Sequence, residues 1–159
     1  MWYVPVEHRG NAQQSVEEAE VVVLEVRKLL QSGRVTDSKG TSRNMNPTDI
    51  LVLAPYNMQV RCLRERLRDG VEAGTVDKFQ GREAPVVFFS MASSSGDDLP
   101  RSIDFLFSRN RLNVAISCAK CVAVLVASPK LMETRCRTLE QMRLVNGLCR
   151  FVELARAVP

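Results

Sequence analysis

Histidine occurs once in the 159 residues, at His8, and that scarcity limits the metal chemistry open to the chain. Cys118 and Cys121 form a CxxC, but no second CxxC and no nearby histidine completes a zinc set. No metal site is expected, and the pair is read as two buried thiols. The five cysteines (Cys62, Cys118, Cys121, Cys136 and Cys149) are odd in number and sit in apolar or helical contexts. They suggest a reduced, intracellular protein, with the cytoplasm as the expected compartment. No apolar run approaches the roughly 18 residues of a membrane span, and the N-terminus has no secretory pattern, so no membrane partner is expected. There is no internal repeat and no low-complexity tract. A phosphate-cradling GxxxxGK[ST] is missing, as is an acidic motif of the DEXX type, and no GxGxxG follows the first strand. The last absence argues against a free-standing dinucleotide-binding domain.

What is present is an ordinary globular composition, 45% hydrophobic and 25% charged, of a length that suits one domain spanning 1–159. The net charge of +4 is compatible with a polyanionic partner but too mild to demonstrate one. Strands are expected at 2–6, 49–55, 84–92 and 121–128, the later three as continuous apolar runs. Ser15 followed by Glu18 is a capping-box signature that opens an amphipathic helix over 15–32. Residues 33–48 read as an exposed loop with a small hairpin around Ser38–Gly40. Helices are expected at 57–70, ended by Gly70, near 105–119, and at 138–157, the last apolar around most of its circumference; 93–104 reads as loop. Apolar strands alternating with helices predict an α/β doubly wound domain, a mainly parallel sheet covered on both faces. Ligands of such sheets bind at the carboxyl ends of the strands.

Three stretches carry chemistry. In "GTVDKFQGRE" (74–83), Gly74 and Gly81 allow backbone geometries and close approaches that a Cβ would block, and bare N–H groups can cradle a phosphate. Thr75 offers a hydroxyl donor, and Glu83 can accept from sugar hydroxyls. A tight polar connection with glycines serving geometry alone reads equally well. In "RNRLNVAISCAK" (109–120), with Ser108 as a candidate cap, Arg111 and Cys118 share a helix face about 10 Å apart along the axis. Arg111 could project towards a phosphate held by another domain; a solvated face is the plain alternative. In "APYNMQ" (54–59), Tyr56 offers a stacking surface and Gln59 an amide, both suited to a nucleic-acid strand, although a strand-end turn would look the same.

In this order, the three stretches resemble motifs IV, V and VI of superfamily 1 DNA/RNA helicases, in the branch of the nonsense-mediated-decay helicase and the Okazaki-fragment nuclease-helicase. The resemblance covers about 3–130, and "VDKFQGRE" with "RLNVA" is a specific combination. Such helicases build a motor from two RecA-like domains, the first carrying the P-loop lysine and the Mg²⁺-binding acid. The resemblance therefore implies the second RecA-like domain alone, of the P-loop-NTPase type but lacking its own P-loop. It also implies ATP and Mg²⁺ held mostly by an N-terminal RecA-like domain of the same polypeptide. Single-stranded DNA, or RNA, is the implied track. The C-terminal helix resembles bacterial members with a RecB-like nuclease fused upstream. By motif, Gln80, Gly81, Glu83 and Arg111 would contact the nucleotide, with Arg111 in a catalytic role along its phosphates. Pro55, Tyr56, Gln59, Thr75 and Asp77 would line the strand. The chain departs from the pattern at Cys118, where the family presents the arginine finger that reaches the γ-phosphate. That loss keeps a second reading open: a catalytically degenerate nucleic-acid-binding or regulatory module with the same fold.

Overall fold

The computed structural model describes residues 1–97 and 103–157. Of the loop expected at 93–104, residues 98–102 lie outside the described residues.

The apolar runs form the strands of one parallel sheet. They are β1 (Trp2–Pro5), β4 (Ile50–Ala54), β5 (Glu72–Thr75), β6 (Ala84–Ser90), β7 (Ala119–Ala127) and β8 (Arg156–Ala157), with β2 (Arg34–Thr36) and β3 (Ser42–Asn44) apart in a hairpin. The sheet order is β5-β4-β6-β7-β1-β8, and every neighbouring pair is parallel. β4 and β6 are central and buried on both faces, which is why they read as unbroken apolar runs rather than alternating ones.

The two faces are covered by different helices. α1 (Val16–Ser32) and α2 (Asn57–Arg64) pack Val22, Val26, Val60 and Leu63 against Val52, Val86, Phe88 and Val124. Ile103–Leu106 (α3), Arg109–Ser117 (α4) and Leu139–Leu154 (α5) pack Leu106, Ala115, Val145, Leu148 and Phe151 against Leu53, Val87, Phe89 and Leu125. The architecture is the doubly wound α/β fold of a RecA-like domain.

Several local expectations change. The helix expected over 105–119 is two pieces, with Phe107 and Ser108 between them. α2 stops at Arg64, six residues before Gly70, and Arg66 and Leu67 both bond back to the Leu63 carbonyl as the chain turns away. α5 is amphipathic rather than apolar all round: Val145, Leu148 and Phe151 form one buried stripe, while Leu139, Met142 and Leu154 face outward. The hairpin forms as expected, with the Asp37 carboxylate accepting from the Lys39 and Thr41 N–H groups across the turn.

Candidate nucleotide and nucleic-acid interface

The residues singled out by sequence separate to opposite ends of the sheet. Thr75 ends β5 beside Ala54, the last residue of β4, so Pro55, Tyr56, Thr75 and Asp77 gather at the carboxyl edge. Gly81 and Glu83 instead precede β6, whose first residue pairs with Ala119, and so lie at the amino edge beside Cys118 and Lys120. α4 runs between the edges. Arg111 is in its first turn and Cys118 caps its far end.

At the carboxyl edge a column of side chains ties three segments together. The Tyr56 and Phe105 rings lie with centroids 5.5 Å apart and tilted by 31°. The Arg111 guanidinium carbon sits 3.8 Å from the Phe105 ring centroid, and Arg111 Nη2 donates to Asp77 Oδ2 at 3.1 Å. Stacking on an aromatic face fixes the plane of the guanidinium, so its remaining donors point in a set direction. One of them, Nη1, is buried and bonds to no acceptor among the described residues. An unmatched guanidinium donor is uncommon inside a protein. The Arg111 side chain lines an open cleft of about 440 Å³ together with Val76, Asp77, Gln80, Asn110, Asn113 and Val114. The cleft thus offers one guanidinium, one carboxylate and three side-chain amides. Asn110 and Asn113 had not been singled out, although their i, i+3 spacing on a helix beginning at Ser108 puts them on one face.

Three of the expected strand contacts are not surface groups in this arrangement. Pro55, Tyr56 and Gln59 are buried. The Tyr56 ring is spent on Phe105, and the Gln59 amide is fully engaged inside. Gln59 Oε1 accepts from Ser15 N–H at 2.8 Å, and its Nε2 donates to the Ser15 carbonyl at 3.1 Å and to Ser90 Oγ at 2.9 Å. Thr75 is half-buried and Asp77 exposed.

Below that edge lies a buried polar network that the sequence did not announce. Ser15 caps α1 through its side chain, accepting from Glu18 N–H, as the capping box predicts. The Glu18 carboxylate, however, does not return to Ser15. Oε1 meets His8 Nε2 at 2.9 Å, and Oε2 accepts from Ser90 Oγ at 2.6 Å and Ala92 N–H at 2.9 Å. His8 Nδ1 lies 2.7 Å from Ser94 Oγ. His8 and Glu18 side chains are both fully buried. Ala92 holds a left-handed φ of 66°, unusual for a residue with a Cβ, and this orientation aims its N–H at the carboxylate. The residue distances along the chain, 10 from His8 to Glu18 and 72 from Glu18 to Ser90, explain why no local motif revealed the group.

At the amino edge Glu83 pairs with Lys120 at 3.2 Å, both exposed. Gly81 takes φ +82°, a left-handed turn that lets Arg82 N–H reach the Phe79 carbonyl. Arg82 is held by Glu72 through two bonds of 2.7 and 2.8 Å. Cys118 points inward, its thiol 3.5 Å from the Phe79 carbonyl, and burial, with Glu83 nearby, pushes its pKa up. Its CxxC partner Cys121 is exposed, so the expected pair of buried thiols is one buried and one surface thiol. Arg111 and Cys118 are therefore not two groups of one site.

The AAA domain family matches residues 5–130. Over 103 residues the chain is 37% identical to the DNA polymerase alpha-associated DNA helicase A of Schizosaccharomyces pombe, covering 63% of this chain and 14% of that protein. It is 41% identical over 83 residues to an uncharacterized ATP-dependent helicase, C05C10.2, of Caenorhabditis elegans, covering 52% of this chain and 5% of that protein. It is 32% identical over 111 residues to the DNA replication ATP-dependent helicase/nuclease DNA2 of Gallus gallus, covering 63% of this chain and 11% of that protein. The chain thus spans a small part of each relative. A RecB-like nuclease fusion of bacterial type finds no support in these similarities.

Proposed function

We infer, because the chain belongs to the AAA domain family shared by superfamily 1 helicases, that it is the second RecA-like half of an ATP-dependent helicase motor. In this reading the carboxyl-edge cleft contacts single-stranded DNA or RNA, and the amino edge closes on ATP bound by a first RecA-like domain. That first domain supplies the phosphate cradle and holds Mg²⁺.

The observation that carries the reading is Arg111. Its guanidinium is fixed over Phe105, balanced on one side by Asp77 and left with one buried donor unmatched among the described residues, and the side chain lines a cleft with three amides. A backbone phosphate completes such a group, since guanidinium matches phosphate oxygens in geometry and charge. Asn110, Asn113 and Gln80 add donors and acceptors for sugar or base edges. At the amino edge the exposed Glu83 carboxylate suits the sugar hydroxyls of ATP, and Lys120 is the cation beside it.

One observation favours the second reading, a nucleic-acid-binding module without strong hydrolysis. The inward-facing Cys118 offers no charge to a γ-phosphate, where a positioned arginine is worth about 10³–10⁵ in rate. Turnover separates the two. The 159-residue chain alone should hydrolyse no ATP, and a longer protein joining it to a phosphate-cradling domain should hydrolyse ATP faster when single strand is added. Turnover by the purified chain alone that depends on Glu83 contradicts the second-half assignment. A longer protein that binds strand but does not turn over establishes the module.

A further inference from the structure

A second crevice opens at the carboxyl edge, on the side of the sheet away from Arg111. β7 and β1 are parallel neighbours, with Pro5 beside Ala127. The chain leaving β1 passes to α1 on one face, and the chain leaving β7 passes through the short turn 129–133 to α5 on the other. Adjacent parallel strands whose connections part to opposite faces leave a gap beyond their carboxyl ends, the place where doubly wound sheets hold ligands. Here the gap is a cavity of about 320 Å³ lined by Glu7, His8, Arg9, Ser128, Pro129, Lys130 and Glu133.

Ser128 is the independent sign that the crevice is built for a ligand. It is 1% exposed, and its hydroxyl has no hydrogen-bond partner among the described residues. It stands at the cap position of the turn that follows, where a serine hydroxyl ordinarily accepts an N–H, yet it makes no such bond. A buried hydroxyl without a partner at the end of a cavity is a group awaiting an acceptor or donor. His8 serves as wall rather than ligand, because both its ring nitrogens are engaged by Glu18 and Ser94.

We propose that this crevice is a second binding site, for a phosphorylated ligand of the size of one nucleotide. Arg9 and Lys130, both exposed, meet the phosphoryl group, and Ser128 Oγ donates to it. Glu7 and Glu133 stand on the same rim, so the crevice is not uniformly basic and a bare polyanion is poorly matched. Carboxylates accept from sugar hydroxyls and base amines, donors that a nucleotide carries and inorganic phosphate lacks. The volume falls at the lower end of small-molecule sites, which suits one nucleotide unit. That unit comes either as a free mononucleotide or as one residue of a bound strand.

The test is nuclear magnetic resonance titration of the ¹⁵N-labelled chain with inorganic phosphate, with AMP and with a short oligothymidylate. The expected result is that AMP or the oligonucleotide shifts the amides of residues 7–9 and 128–133. Phosphate should do so only at concentrations at least tenfold higher. A response to AMP identifies a free-nucleotide site, and a response to the oligonucleotide alone identifies a strand contact. The double variant Arg9→Ala/Lys130→Ala changes only exposed side chains and should weaken the response at least tenfold, and Ser128→Ala should weaken it several-fold. The proposal is overturned if neither AMP nor the oligonucleotide shifts these amides, if phosphate acts as strongly as AMP, or if the double variant responds like the parent chain.

Discussion

Cys118 and Cys121, three residues apart, differ in how far water reaches their thiols. The Cys118 thiol is buried against the Phe79 carbonyl, with its pKa raised by burial, so the reactive thiolate is scarce and hard to reach. Cys121 is exposed. Brief alkylation of the native chain followed by mass spectrometry should label Cys121 well before Cys118, and equal labelling would mean that the far end of α4 is open. The same burial governs Cys118→Arg. A guanidinium cannot remain where the thiol lies without losing its hydration, so the substitution should lower stability by about 2 kcal/mol or more unless the side chain turns out past Glu83. Glu18 is the opposite case, a polar side chain that the interior is built around. Glu18→Ala would strand His8, Ser90 and the Ala92 N–H, and should cost about 3–5 kcal/mol in urea unfolding. Glu17→Ala, an exposed first-turn change one residue away, should cost about 1 kcal/mol or less.

Among the elements, the hairpin and β4 are joined by a carboxylate that makes acid stability predictable. Asp49 accepts from both Arg43 guanidinium nitrogens at 2.6 Å and from Asn46 N–H at 2.9 Å. The Arg43 bonds, then the Asn46 N–H, hold its pKa below the ordinary carboxylate value, against the opposing effect of burial. A depressed folded pKa means the contribution is complete above the unfolded value, about 3.9, and fades as pH falls through the folded one. Asp49→Asn should therefore be less stable than the parent at pH 6, with the difference shrinking below about pH 4. A difference that stays constant from pH 6 to pH 2.5 would remove the ion pair as its cause. At this scale the sequence was most informative where a signal is local. Apolar runs located the central strands, Ser15 marked the start of α1, and the turn residues marked the hairpin. It failed where tertiary contacts decide. Gln59 and Tyr56 look like surface groups after a strand, but Ser15, Ser90 and Phe105 arrive from distant segments and bury them. The break at Phe107–Ser108 has no glycine or proline to announce it. The alternation of polar and apolar residues in α5 was masked by three outward apolar side chains.

For the whole molecule, the doubly wound topology decides which residues can share a site. The family resemblance implied Gly81, Glu83 and Arg111 on one nucleotide, with Cys118 on the same helix face as Arg111, whereas the crossover of α4 sets Arg111 at the carboxyl edge and the other three at the amino edge. The carboxyl edge keeps Thr75, Asp77, Gln80 and Arg111, and the functional reading depends on the cleft there. The most direct test is the salt dependence of single-strand binding by the chain, measured by fluorescence anisotropy from about 25 to 200 mM salt for the parent, Arg111→Ala and Thr75→Ala. Binding that engages phosphates releases counterions, so the logarithm of affinity should fall linearly with that of salt concentration, with about 0.7 of slope per phosphate contact on a single strand. Both variants should bind more weakly, and Arg111→Ala should show a slope shallower by about 0.7. Parent and Arg111→Ala chains that share one affinity and one slope across the titration would contradict the functional reading.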